Sequence, residues 1–247
     1  MVQFRRIVSL VAAIAVIPVF ARAQDAGNGF LFGPPSAMLA IRGGWAMPRA
    51  KSDLFSYTTE LLTLKRGDFS SPDLVADIAF RVTDRTQIVV SGGVSGMDRE
   101  SEFRNFIDNN DKPIEQTTSF RRVPVTIGVK RYLMSPGRAI GRFAWIPARV
   151  APYVGVGAGM MWYRFRQAGD FVNFETTDVF SSTLDSQGWT KTANVLAGVE
   201  YSLGSMFALT SEARYGWAKA GLSSDFSGFE RVDLSGLSTT VGLAVRF

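Results

Sequence analysis

Eight separate stretches of this 247-residue chain alternate apolar and polar side chains with a period of two. Successive side chains of a strand point to opposite faces. Each stretch must therefore meet an apolar medium on one side and polar surroundings on the other. The last stretch, Asp233 to Phe247, is the clearest. Leu237, Thr239, Val241, Leu243, Val245 and Phe247 face one way; Gly236, Ser238, Thr240, Gly242, Ala244 and Arg246 face the other. The others run Ala37 to Met47, Asp73 to Val82, Thr86 to Arg99, Thr117 to Leu133, Arg149 to Ala168, Trp189 to Leu203 and Phe207 to Ala220. Each holds about 9–11 residues of clean alternation, the length a tilted strand needs to cross a bilayer.

Charges fall mostly on the polar faces: Arg42, Asp77, Arg81, Arg122, Lys130, Glu200, Glu212, Arg214 and Arg246. Asp77 and Arg81 share a face, Glu212 and Arg214 share another, and Glu200 lies on the strand next to both of the latter. These spacings predict an ion-paired polar network that plugs a narrow lumen. Lys191 and Arg131 break the rule near strand ends, where long side chains can snorkel. Aromatics cluster near the ends of the apolar faces; Trp45, Trp162, Tyr201, Tyr215 and Trp217 are the expected girdle. Connections alternate between long and short, with tight turns at Thr83–Arg85 and Gly204–Ser205, except that the fourth, Met134 to Ala148, is longer. A soluble barrel such as a lipocalin would turn the apolar face inward, and parity alone does not choose between the two. The Gly-rich, multiply charged opposite faces and the placement of the aromatics favour apolar-out. The expected fold is all-β, an eight-stranded antiparallel up-and-down transmembrane β-barrel.

Residues 1–23 read as a secretory signal peptide. Arg5 and Arg6 precede an apolar run from Ile7 to Phe20, and Ala21-Arg22-Ala23 supplies a small-x-small cleavage site. Residues 24–36 form a short periplasmic lead-in and residues 37–247 the barrel. Without its first 23 residues the chain loses three of its 27 basic residues and keeps all 22 acids, which removes the charge argument for a nucleic-acid partner. The absence of Cys and His excludes disulfides, thiolate metal sites and His-based catalysis. No metal or cofactor site is expected. Asp108-Asn109-Asn110-Asp111 lacks the glycine and distal Glu of a calcium loop and reads as a turn at a loop tip.

Two stretches carry a resemblance. Val241-Gly242-Leu243-Ala244-Val245-Arg246-Phe247 ends the chain on an aromatic, and Ala151-Pro152-Tyr153-Val154-Gly155-Val156-Gly157-Ala158-Gly159 is a Pro-Tyr strand with alternating glycine. With the leader and eight strands, the chain resembles the small eight-stranded outer-membrane barrels, the group of OmpX, OmpW and the OmpA barrel domain. The resemblance implies outer-membrane lipid as environment and both termini in the periplasm. It also implies periplasmic chaperones and a barrel-assembly machinery that reads Val241, Leu243, Val245 and Phe247. Enzymes of this size and shape rely on a catalytic His, which is missing here. The expected role is therefore non-enzymatic and structural or interaction-based, with a narrow channel or transporter for small, including hydrophobic, solutes as the alternative. The long connections are rich in apolar residues, Leu54, Phe55, Leu61 and Leu62 in the first, Phe171, Phe174 and Phe180 in the third. They either pack on one another or meet a partner.

Overall fold

A computed structural model describes residues 31, 33–107, 111–140, 144–174, 176 and 178–247. The leader and most of the lead-in lie outside these residues, as do Asp108 to Asn110. Strands β1 (Ala37–Pro48), β2 (Ser71–Arg81), β3 (Thr86–Ile107), β4 (Pro113–Tyr132), β7 (Val150–Val172), β8 (Val179–Ser202), β9 (Phe207–Ala220) and β11 (Gly236–Arg246) pair antiparallel in a closed ring. The seam joins β1 to β11 from Met38↔Arg246 to Pro48↔Gly236. Phe247 completes it: its N–H donates to Ala37 O at 3.0 Å, and its carbonyl accepts from Ser36 N at 2.8 Å and Ala37 N at 2.9 Å. Closure leaves no open edge, the condition for a sheet in lipid.

The stagger follows from the register. A row from Lys191 runs through Met160, Val125, Gly92, Ala76, Ile41, Leu243 and Leu209 and returns to β8 at Tyr201. Ten residues of stagger on eight strands go with a tilt of about 40°, so Tyr201 lies about 25 Å below Lys191 along the axis. That drop matches the height of the apolar band on a membrane barrel, about 25 Å. Within it the outward side chains are apolar and open: Ile41, Val90, Ile127, Val156, Val195, Leu209 and Leu243 are all exposed. Trp45, Trp162, Trp189 and Trp217 lie on this face toward its upper, long-loop edge; Phe80, Tyr201 and Phe207 lie near the lower edge. No helix among the described residues is long and apolar enough to cross a membrane.

Above the band the strands continue. β3, β4, β7 and β8 reach 20–24 residues, so much of the third long connection is strand. Here the inward face changes character. Met97, Phe120, Met161 and Phe165 point in where charged residues point in below. The first long connection folds down onto them. Its helix α1 (Asp53–Leu61) buries Leu54, Phe55 and Thr58, which share one face. Phe55 is fully buried, with edge contacts to Phe69 at 4.8 Å, Phe120 at 5.5 Å and Phe165 at 5.9 Å. A second element lies at the lower mouth. The hairpin of β5 (Gly137–Ile140) and β6 (Ala144–Pro147) bridges to Leu31 through Trp145, whose indole lies 5.9 Å from the Arg246 guanidinium. The two-residue strand β10 (Val232–Asp233) pairs with the top of β9.

Candidate functional site

The lumen below the apolar lid holds two tiers of charge. In the upper one Arg42 is the hub. Its Nη2 donates to Asp77 Oδ2 at 2.6 Å and Glu212 Oε1 at 3.1 Å, and its Nε to Thr240 Oγ1 at 3.2 Å. Arg214 donates to the same Glu212 oxygen at 2.9 and 3.1 Å and to Ser91 Oγ at 2.6 Å. Ser91 in turn donates to Asp77 Oδ1. In the lower tier Glu200 accepts from Lys130 Nζ at 3.0 Å, Tyr132 Oη at 2.6 Å and Arg246 Nη2 at 3.1 Å. Tyr153 joins the tiers: its hydroxyl donates to Glu212 Oε2 at 3.0 Å, and Lys130 Nζ lies 4.7 Å from its ring centre. Gly198 makes room for that ring, since a Cβ there would lie 2.5 Å from Tyr153 Cζ.

Burying these charges is costly unless every one is paired, and here the pairing is nearly complete. Among the described residues only Ser52 Oγ and Thr118 Oγ1 are buried side-chain polar atoms without a partner, and neither is in these tiers. Spaces in the bore include about 70 Å³ beside Arg122 and about 10 Å³ beside Lys130, and a larger one of about 260 Å³ lies at the lower mouth between the barrel and the hairpin, lined by Met38, Gln87, Tyr132, Trp145 and Arg246. The first has room for a few waters and the second for about one, with the paired side chains filling the bore around them.

Of the nine polar-face charges, Arg42, Asp77, Arg122, Lys130, Glu200, Glu212, Arg214 and Arg246 point into the bore and Arg81 does not. Arg81 is at the rim. Its strand is already entering the Val82–Arg85 turn, so the guanidinium leans out to Asp84 at 3.5 Å and not to Asp77. Glu200 pairs across the lumen with Lys130 and Arg246 and not with Arg214. Arg122 finds no carboxylate within 4 Å among the described residues. Its Nη1 donates to Leu234 O at 3.0 Å and its guanidinium lies 5.6 Å from the Phe120 ring centre. Tyr132, Tyr153, Ser91 and Thr240 belong to the network but carry no charge to mark them. Their signal was parity: each shares a face with a charged lumen residue of its own strand or of the next. Among the residues expected to carry an assembly signal, Val241 and Leu243 are exposed and Val245 and Phe247 half-buried along the seam strand.

A different surface lies above the lid. A cleft of about 230 Å³ opens between α1 and the tall β7–β8 hairpin, lined by Leu61, Phe103, Phe171, Phe174, Phe180 and Phe229. Tyr57 stands at its edge with its ring 5.3 Å from Phe229, and partial burial pushes its hydroxyl above the usual phenol range. The cleft is mostly apolar, with Tyr57, Thr58, Gln116, Gln167 and Asp225 as its polar contributors. Among the described residues no cluster of acidic side chains could hold a metal ion.

No protein-family model and no curated protein matches this chain. Solved structures of small outer-membrane barrels do resemble it in fold. Neisserial surface protein A is 14% identical, with 85% of this chain and 96% of that one covered and a TM-score of 0.46. A major outer membrane protein from Thermus thermophilus is 11% identical, covering 86% and 100%, with a TM-score of 0.44. The attachment invasion locus protein of Yersinia pestis, solved with a heparin analogue, is 13% identical, covering 86% and 99%, with a TM-score of 0.43. At these identities the likeness is one of fold.

Proposed function

We propose that this chain is a non-enzymatic outer-membrane barrel whose membrane half is a closed anchor and whose outer half presents a folded platform to the exterior. In this reading residues 1–23 are removed on export, the short turns and both termini face the periplasm, and the terminal strand through Phe247 is read by the assembly machinery. The observation that carries it is the change of the inward face with height. Paired charges fill the barrel within the apolar band, and aromatic packing fills it above. A wall built this way seals the membrane, and the residues left for function are those of the outer end.

Planar-bilayer recording tests this. The wild-type protein should show no steady conductance, because Arg42, Glu212 and Tyr153 block the bore and the hairpin around Trp145 covers the lower mouth. Stable open channels from the wild type would remove the anchor reading and promote a transporter.

The outer cleft favours a second reading, in which the platform takes a small apolar molecule. An enclosed aromatic wall favours apolar ligands with few polar groups. The fluorescent apolar amine N-phenylnaphthylamine should bind the detergent-purified barrel saturably, and Phe180→Asp should weaken it about tenfold or more. Binding equal in the wild type and the variant would leave the cleft as loop packing.

A further inference from the structure

The apolar band carries one discordant pair at its upper edge. Lys191 on β8 and Lys219 on β9 both point outward and are exposed, in step with Ala193 and Trp217. The β8–β9 register ends at Thr192↔Ala218, which puts Lys191 and Lys219 next in line above it on neighbouring strands, and Thr190 Oγ1 donates to Lys219 O at 2.7 Å. Like charges facing across two strands destabilise a sheet. Elsewhere on this outer face such a pair is compensated. Arg121 and Arg164 also lie directly opposite, but Asp98 takes the first at 3.2 Å and Asp185 the second at 2.5 Å. Neither Lys191 nor Lys219 has an ammonium hydrogen bond or ion pair among the described residues. Asp233 on β10 is the cross-strand partner of Lys219, but it is buried and its carboxylate accepts Ser235 N–H at 3.0 Å. Arg231 adds a third cation, donating to Lys219 O at 3.0 Å. Trp189 and Trp217 flank the pair and are 59% and 47% exposed.

We propose that Lys191 and Lys219 clamp the phosphate of an anionic lipid in the leaflet on the long-loop side. This rests on the reading of the band as a bilayer belt. An oxyanion between the two ammonium groups turns a repulsive pair into a bridged one. The height selects a lipid over a free anion. Both lysines sit where the band ends, so the acyl chains would run down over Ala193 and Val195 while the two indoles border the glycerol region. A zwitterionic headgroup carries its own cation and offers the clamp no net charge.

The test uses the full chain in phosphatidylcholine vesicles containing brominated phosphatidic acid. Quenching of tryptophan fluorescence reads the association of the anionic lipid relative to the neutral one. The wild type should favour the anionic lipid, by about fivefold for each lysine. Lys191→Gln with Lys219→Gln should bring the ratio close to one. Lys191→Arg with Lys219→Arg should keep it, and so should Arg131→Gln, which removes an outward cation near the lower edge. Millimolar inorganic phosphate should leave the ratio unchanged. Equal association of both lipids with the wild type overturns the clamp. So does a loss in Arg131→Gln matching that of the double variant, or displacement by inorganic phosphate, which would mark a free-anion site. Brominated phosphatidylcholine is the separate control. If it fails to quench the tryptophans, the belt does not face acyl chains, and the bilayer reading falls instead.

Discussion

Arginine at Ile41 or Ile127 should destabilise the folded barrel by about 2–4 kcal/mol in lipid, whereas arginine at Leu133 should cost about 0–1 kcal/mol. The three positions are alike in the folded chain, exposed at 56%, 60% and 58%. They differ in depth. Ile41 and Ile127 fall near the middle of the stagger between Lys191 and Tyr201, and Leu133 falls at its lower end, beyond Arg131. In water all three substitutions would be nearly neutral, because an exposed side chain gains or loses little. Urea titrations of the protein refolded into vesicles measure the differences. Equal, small effects at all three positions would return the apolar face to solvent or to a protein partner.

The second large effect is expected inside. Glu212→Ala removes the acceptor shared by Arg42, Arg214 and Tyr153. Asp77 still faces both guanidinium groups, at 2.6 Å from Arg42 and 3.7 Å from Arg214, but it cannot balance two buried cations. Breaking such a pair from one side costs about 3–5 kcal/mol, because a charge is left without compensation. Glu212→Ala combined with Arg214→Ala should recover part of that loss, since the orphaned cation leaves with its partner. The same titrations read both variants. A double variant as unstable as the sum of the two single variants would show that Glu212 and Arg214 do not act on each other. In planar bilayers the single variant should also show transient openings that the wild type lacks.

Much of this architecture is local information. Alternation concerns residues two apart, so the eight strands, their two faces and the tight turns at Thr83–Arg85 and Gly204–Ser205 could be read without knowing what lies beside them. That Arg42, Lys130, Glu200 and Glu212 lie on the polar faces of their strands follows from the same parity. The pairing could not be read this way. Asp77 and Arg81 are neighbours along β2, but a stagger of ten residues brings Arg42 and Arg214 to Asp77 from other strands and leaves Arg81 at the rim.

Height was equally hidden. Phe120 and Arg122 are two residues apart on one face of β4, and nothing local marks the boundary between them; the first belongs to the aromatic lid, the second to the charged bore. The small residues of the polar faces also looked interchangeable, yet a Cβ at Gly242 would lie 2.0 Å from the Ile41 carbonyl oxygen. Alternation fixes which side chains share a face, because that depends on the strand's own geometry. Which face turns inward and what each side chain meets come from closure, tilt and stagger, which are properties of the whole ring and are contained in no single strand.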